Sequence, residues 1–394
     1  MSYVEESDII RRKKIALVLG DGSGPEMMKA ACAVAIAAAL KDGLELLFEE
    51  TPMGYCALSE FGDTLPEQSF RRAVQLGTVF FGGVGDPAID ATLTPVTQYL
   101  KPETRCLLAL RKEMGLLLNF RPMIYYPQLK HLANVKPEMI PDSGIQQIWI
   151  RFLLQDSYYG NVDLRDCIPE LSRDLIGMKA KSDVTGDEAM VSDIAYYRRE
   201  TIEKYIRAAF AYARNAGLPL ISIDKANVMA RYNFWRKIVT RIGKTEFPDV
   251  KLTHQLVDSA NALLFTPAAL HGVIACGNEH GDILSDGAAG ALGSMGMMCS
   301  SAINPDTGAA MFESGAGTAP TLAKQEKANP LGRILTGALM LRHLGAPKGA
   351  KAIEDAVRQA LENGYRTADM VTVSNPGCKT LGTSEMGRLI LSLL

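Results

Sequence analysis

The chain has 394 residues, of which 47% are hydrophobic and 22% charged, with a formal net charge of −2. That is the balance of a globular protein with room for a large core, either two domains or one large α/β unit. The near-neutral charge excludes the electrostatic footprint of a nucleic-acid or anionic-membrane binder, and no apolar run reaches spanning length. The N-terminal stretch MSYVEESDIIRRKK lacks the apolar region of a signal peptide. The seven cysteines are odd in number and form no CxxC, so they read as reduced thiols of a cytoplasmic protein. The five histidines show neither HxxxH nor HxH spacing, which argues against a histidine-based metal site.

In chain order, KIALVLG (Lys14 to Gly20) predicts a buried strand, followed by the glycine turn DGSGPE and an alanine-rich helix to about Leu40. TVFFGGVGDP (Thr78 to Pro87) repeats strand and glycine turn. Leu107 to Met114 reads as helix, and Asn119 to Tyr126 and Ile148 to Leu154 as strands. Asp163 to Asp193 is polar and irregular, an arm or a two-stranded excursion. Glu200 to Gly217 is an amphipathic helix closed by glycine. LISIDKANV is a strand running into a turn, and VIACG (Val273 to Gly277) a strand leading to a helix from about Gly281. From Pro330 the chain is largely helical, with a loop near Ser374 to Gly382. The alternation predicts an α/β fold with a largely parallel sheet, and it carries no GxGxxG fingerprint of a Rossmann domain.

The chemistry concentrates where carboxylates gather. Asp282 and Asp286 stand four residues apart and share one face of a helix. Taken alone, that pair is a solvated helix face. Its setting, between the strand VIACG and the small-residue run GAAGALGSMG, favours close approach of a ligand. Like charges at that spacing repel, and a divalent cation held by oxygen ligands would offset them. VDSAN adds Asp258 at the end of another apolar strand.

GNEHGDILSDGAAGALGSMG resembles the signature segment of the isocitrate/3-isopropylmalate dehydrogenase family, the metal-dependent β-decarboxylating dehydrogenases. The likeness continues over nearly the whole chain through GDGSGPE, PETRCLLALRKEMGLLLNFRP, SYYGN, DKANV with FWRK, and KANP, and is nearest to the 3-isopropylmalate type. It implies a two-domain fold, with residues 1–116 and 293–394 binding the cofactor and 117–292 holding substrate, metal and the dimer contact. It implies that Arg111, Arg121 and Arg151 clamp the carboxylates of a malate-type substrate. Glu103, Leu107 and Leu108 resemble the pocket for its substituent. Lys225 would take the hydroxyl proton, and Tyr158 would protonate the carbon left by CO2. Asp258, Asp282 and Asp286 would hold Mg2+ or Mn2+. Glu313, Gly317, Thr318, Ala319, Thr321 and Asn329 would bind NAD, with NADP the alternative. Lys225 and Asp258 would reach the site from the second subunit of a homodimer.

Several positions depart from the pattern. Ala316 replaces a histidine expected to touch adenine, and Thr321 stands where aspartate would mark NAD or lysine NADP. Glu279 replaces an apolar residue and reads as a rim residue or a contact to the cofactor amide, His280 follows it, and Phe152 replaces an acidic one. Arg105 and Cys106 occupy the place of a single small residue, so Arg105 either meets an anionic substituent or points to solvent. These departures keep open a specialised relative acting on isocitrate, homoisocitrate, tartrate or a phosphonate malate analogue, and a non-catalytic regulatory subunit of the same fold.

Overall fold

The computed structural model describes residues 11–141, 144–159, 194–293, 295–315, 317–373 and 377–394. The expected excursion at Asp163 to Asp193 and the altered Ala316 lie outside the described residues, as does part of the loop near Ser374.

One ten-stranded sheet organises the chain, in the order β2-β1-β3-β10-β9-β4-β5-β8-β6-β7. Its strands are β1 (Arg11–Val18), β2 (Leu44–Glu50), β3 (Thr78–Phe81), β4 (Leu118–Ile124), β5 (Gln146–Phe152), β6 (Leu220–Asp224), β7 (Leu252–Leu256), β8 (Gly272–Cys276), β9 (Cys299–Ile303) and β10 (Ala310–Ser314). Six of the nine neighbouring pairs are parallel, and the three antiparallel ones adjoin β9 and β4 at the centre. The sheet is therefore two parallel blocks running in opposite senses, joined back to back through β9 and β4. Strands such as β3, β6 and β8 are buried at every residue, as parallel strands covered on both faces must be.

The described helices are α1 (Gly24–Ala39), α2 (Tyr55–Phe61), α3 (Glu67–Leu76), α4 (Leu108–Glu113), α5 (Arg199–Ala216), α6 (Ala230–Glu246), α7 (Val257–Leu263), α8 (Asn278–Ala291), α9 (Leu331–His343), α10 (Pro347–Glu362) and α11 (Thr383–Ser392), besides shorter turns. Helix α5 stops at Gly217, whose φ of +66° supplies the left-handed cap. Two core clusters are built mainly from residues before 117 and after 296. Two more are built mainly from residues 117–292. Helix α8 begins at Asn278, three residues before the expected start, and Asp258 lies in the first turn of α7 rather than at a strand end. No helix among the described residues is long and apolar enough to cross a membrane.

Candidate active site

The central strands place three buried arginines along one cleft. Arg121 is on β4, Arg151 near the end of β5, and Arg111 in the last turn of α4; all three are at most 7% exposed. Guanidiniums are tolerated so deep only when paired. Arg121 donates to Asn119 Oδ1 at 3.0 Å, Ser285 Oγ at 2.9 Å and Asp286 Oδ1 at 2.8 Å, and its Nη2 lies 3.0 Å from Asp282 Oδ1. Arg151 donates to Asn278 Oδ1 at 2.8 Å and also pairs with Asp282. Arg111 pairs with Glu313 on β10. The Tyr158 hydroxyl donates to Asp282 Oδ2 at 3.0 Å, and the Arg151 guanidinium lies 5.2 Å from its ring centroid.

The charges here are mutually dependent. Burial works against the Asp282 carboxylate, but the Arg151 and Arg121 cations outweigh it and hold its pKa below the usual range. Asp286 moves the other way, because burial and the neighbouring Asp282 charge outweigh Arg121. Burial, reinforced by the Arg121 cation, brings Arg151 down to about 10. Burial and then Asp282 raise Tyr158, which keeps its proton through the neutral range. The result is a compact recess in which three guanidiniums face three carboxylates, Asp282, Asp286 and Glu313, with a protonated phenol on its wall.

The cleft measures about 650 Å³ and extends past these groups to Glu103, Leu107 and Leu108, and then to Gly83, Gly85, Gly317, Thr318 and Ala319. Its far end is held by buried polar contacts. Asp21 accepts the backbone N–H groups of Tyr55, Cys56 and Gly85 at 2.9, 2.8 and 2.7 Å. The Thr318 carbonyl accepts from Ser23 N and Oγ at 2.9 and 2.8 Å, and Thr318 Oγ1 donates to the Gly85 carbonyl at 2.9 Å. A Cβ at Gly317 would enter open space. Backbone-lined glycine turns beside open space are what a dinucleotide needs for close approach.

Most expected site residues meet here, and some do not. Arg105 is absent from the cleft wall. It makes a bidentate pair with Asp63, at 2.7 and 2.5 Å, and lies over the Tyr99 ring. The pair is about one-third exposed, so Arg105 stands on the outer side of its turn, paired with Asp63 rather than lining the cleft. Asn329 donates to Asp369 Oδ2 at 3.0 Å and accepts from Leu331 N at 2.9 Å, at the start of α9. Thr321 is exposed and, like Asn329, lines no part of the cleft. Lys225 pairs with Asp258, whose side chain is 64% exposed, away from the cleft. The neighbouring Asp224 is engaged by Arg236, at 2.8 and 2.7 Å. Glu279 accepts from Ser157 Oγ at 3.1 Å, beside Tyr158. Among the described residues of one chain, no group of three His, Cys, Asp or Glu is placed to hold a metal ion.

The sequence reading missed Asp21, Asn278 and Ser300. Asn278 accepts from Arg151 and donates to the Gln155 carbonyl at 3.1 Å, tying the clamp to the Tyr158 turn. Ser300 accepts from Asn119 Nδ2 at 2.8 Å. The one signal that could have found Asp21 is its place between two glycines after a buried strand.

The isocitrate/isopropylmalate dehydrogenase family profile matches residues 14–390. A 3-isopropylmalate dehydrogenase of Cupriavidus metallidurans is 38% identical over 97% of this chain and 100% of its own length. One of Moorella thermoacetica is 38% identical over 96% of this chain and 98% of its own. Among solved structures, isocitrate dehydrogenase from Methylococcus capsulatus superposes with a TM-score of 0.77 at 27% identity, covering 97% of this chain and 99% of that one. A β-decarboxylating dehydrogenase from Thermococcus kodakarensis (apo form) gives 0.72 at 29% identity, covering 97% and 96%. A match of this length, with the arginine recess and α8 in place, makes this chain a member of the isocitrate/isopropylmalate dehydrogenase family of oxidoreductases.

Proposed function

We propose that the chain oxidises and decarboxylates a 3-substituted malate, most like 3-isopropylmalate, using NAD and a divalent cation. The observation that carries the reading is the convergence of Arg111, Arg121 and Arg151 with Tyr158 and Asp282 at one end of the cleft, beside Leu107 and Leu108. The full-length likeness to proteins named 3-isopropylmalate dehydrogenase supports the substituent.

The donors suit a hard cation. Asp282 and Asp286 offer carboxylate oxygens on one face of α8, and Asp286 is raised by burial and then by the Asp282 charge, both of which a bound cation would offset. We assign the third ligand, Asp258, to a second copy of the chain, since its own copy leaves it exposed beside Lys225. Mg2+ or Mn2+ bound there would polarise the substrate's C2 oxygen, and the nicotinamide would accept the hydride.

The chain's own groups do the rest. The arginine recess binds and orients the substrate carboxylates, with Arg111 tied through Glu313 to the cofactor end. Lys225 of the second copy takes the C2 hydroxyl proton. Loss of CO2 from C3 leaves an electron-rich carbon, and Tyr158, kept protonated by its surroundings, returns a proton to it.

The test is purified protein with Mg2+ or Mn2+, each nicotinamide cofactor in turn, and a panel comprising malate, 3-isopropylmalate, isocitrate, homoisocitrate and tartrate. The expected result is reduced cofactor and CO2 in equal amounts, highest with 3-isopropylmalate and NAD. Binding without turnover across the panel would overturn the proposal and leave a regulatory subunit.

A further inference from the structure

The mechanism above gives Asp156 no task, yet it is wholly buried two residues before Tyr158. Its φ is +74°, and that of Leu154 is +68°. Non-glycine residues hold such backbone only when their surroundings over-determine it, and clustered cases occur at functional sites. The surroundings here are specific. The Tyr197 hydroxyl donates to Asp156 Oδ2 at 2.7 Å and the Ser157 N–H to Oδ1 at 3.1 Å, while Arg231 Nε lies 3.6 Å from Oδ1. The Tyr232 hydroxyl lies 3.2 Å from that of Tyr197, and the Tyr232 ring stacks on His280 with centroids 4.7 Å apart. A Cβ at Gly277 would collide with both hydroxyls. The Asp156 carbonyl accepts the Tyr159 N–H at 3.2 Å, closing the one-turn 3-10 helix Ser157–Tyr159 that carries Tyr158.

We propose that Asp156 is a positioning residue for the proton-donating hydroxyl of Tyr158: its carboxylate, clamped by Tyr197 and the Ser157 amide, fixes the left-handed turn that aims the phenol toward Asp282 and the substrate. The proposal rests on the function assigned above. Its consequence is stereochemical, because an aimed acid delivers its proton to one face of C3, whereas an enol that outlives a misplaced acid is protonated by water from either side.

The full-length enzyme is assayed with 3-isopropylmalate in D2O, the 2-oxo product is trapped at once by reduction, and deuterium at C3 is assigned to a face by NMR. The unaltered enzyme is expected to label one face. Asp156→Ala is expected to lose at least about ten-fold in kcat with KM changed less than about three-fold, since small misplacements cost rate more than binding, and to label both faces. Asp156→Asn, which tolerates the left-handed backbone and still accepts from Tyr197, is expected to restore one-faced labelling. Tyr197→Phe is expected to give the mixed label in smaller proportion. One-faced labelling by Asp156→Ala overturns the proposal, as does one-faced labelling by Tyr197→Phe where Asp156→Ala does not fold. Two-faced labelling by the unaltered enzyme sinks the role of Tyr158 and the proposal with it. If no substituted malate turns over, the assigned function fails and a second readout decides the positioning. The ζ-13C tyrosine resonance assigned by Tyr158→Phe should be one line in the unaltered protein and in Asp156→Asn, and displaced or split in Asp156→Ala. An unmoved line overturns the proposal.

Discussion

Asp282 accepts from the Tyr158 hydroxyl while facing the guanidiniums of Arg121 and Arg151. Asp282→Asn keeps the volume and removes the charge, leaving Arg151, only 2% exposed, against Arg121 without a counter-ion. Breaking a buried pair leaves an uncompensated charge, and the partial exposure of Asp282 tempers the loss to roughly 1–3 kcal/mol. We expect a lower urea midpoint at unchanged m-value, and no metal-stimulated turnover at any Mn2+ concentration; full activity in this variant would remove Asp282 from the cation site. The arginines, Tyr158 and the two aspartates of α8 were legible because each sits in a short motif whose neighbours carry the signal. Asp21, Asn278 and Asp156 were not, since each works by satisfying buried donors or acceptors far away in sequence. Apart from the two glycines that flank Asp21, nothing local distinguishes them from surface polar residues.

The segment ahead of α4 shows what an element can absorb. The extra residue seen at Arg105 and Cys106 becomes a π-helical turn, Glu103–Leu107, in which Leu108 N–H reaches back five residues to the Glu103 carbonyl. Cys106 faces inward and donates to the Thr64 carbonyl at 3.1 Å, Arg105 pairs outward with Asp63, and Glu103, Leu107 and Leu108 are left on the cleft. The sequence revealed the insertion but not how the backbone takes it up, because a π-turn has no residue signature of its own. Arg105→Ala should cost no more than about 1 kcal/mol in stability, as the pair is about one-third exposed. It should raise KM for 3-isopropylmalate several-fold, with much less effect on unsubstituted malate. If Arg105 instead met an anionic substituent directly, only isocitrate and homoisocitrate would lose affinity, and the measured KM set separates the two roles.

At the scale of the molecule, alternating strands and helices announced the α/β sheet, but the reversal at β9 and β4 was hidden because periodicity carries no strand direction. The described chain also leaves Lys225 and Asp258 paired outside the cleft, with Phe265 and Ile283 exposed on the segments that carry Asp258 and Asp282. If two copies complete each other's sites, co-expressed Tyr158→Phe and Lys225→Met chains should regain activity, since one centre in each mixed dimer is intact. Random pairing sets the return at about a quarter of the unaltered level; verified mixed dimers that stay inactive would refute sharing. The Asp156 cluster then has a genetic meaning. It touches Arg231 and Tyr232, at the start of the helix that follows Lys225, as well as the turn of Tyr158. If the sites are shared, a lesion there would disturb both the acid a chain keeps and the base it lends. A dimer of one altered and one unaltered chain would then have one centre with a faulty acid and the other with a faulty base, so equal co-expression with the unaltered chain should leave about a quarter of the activity for an inactivating Asp156 lesion against about half for one at Tyr158.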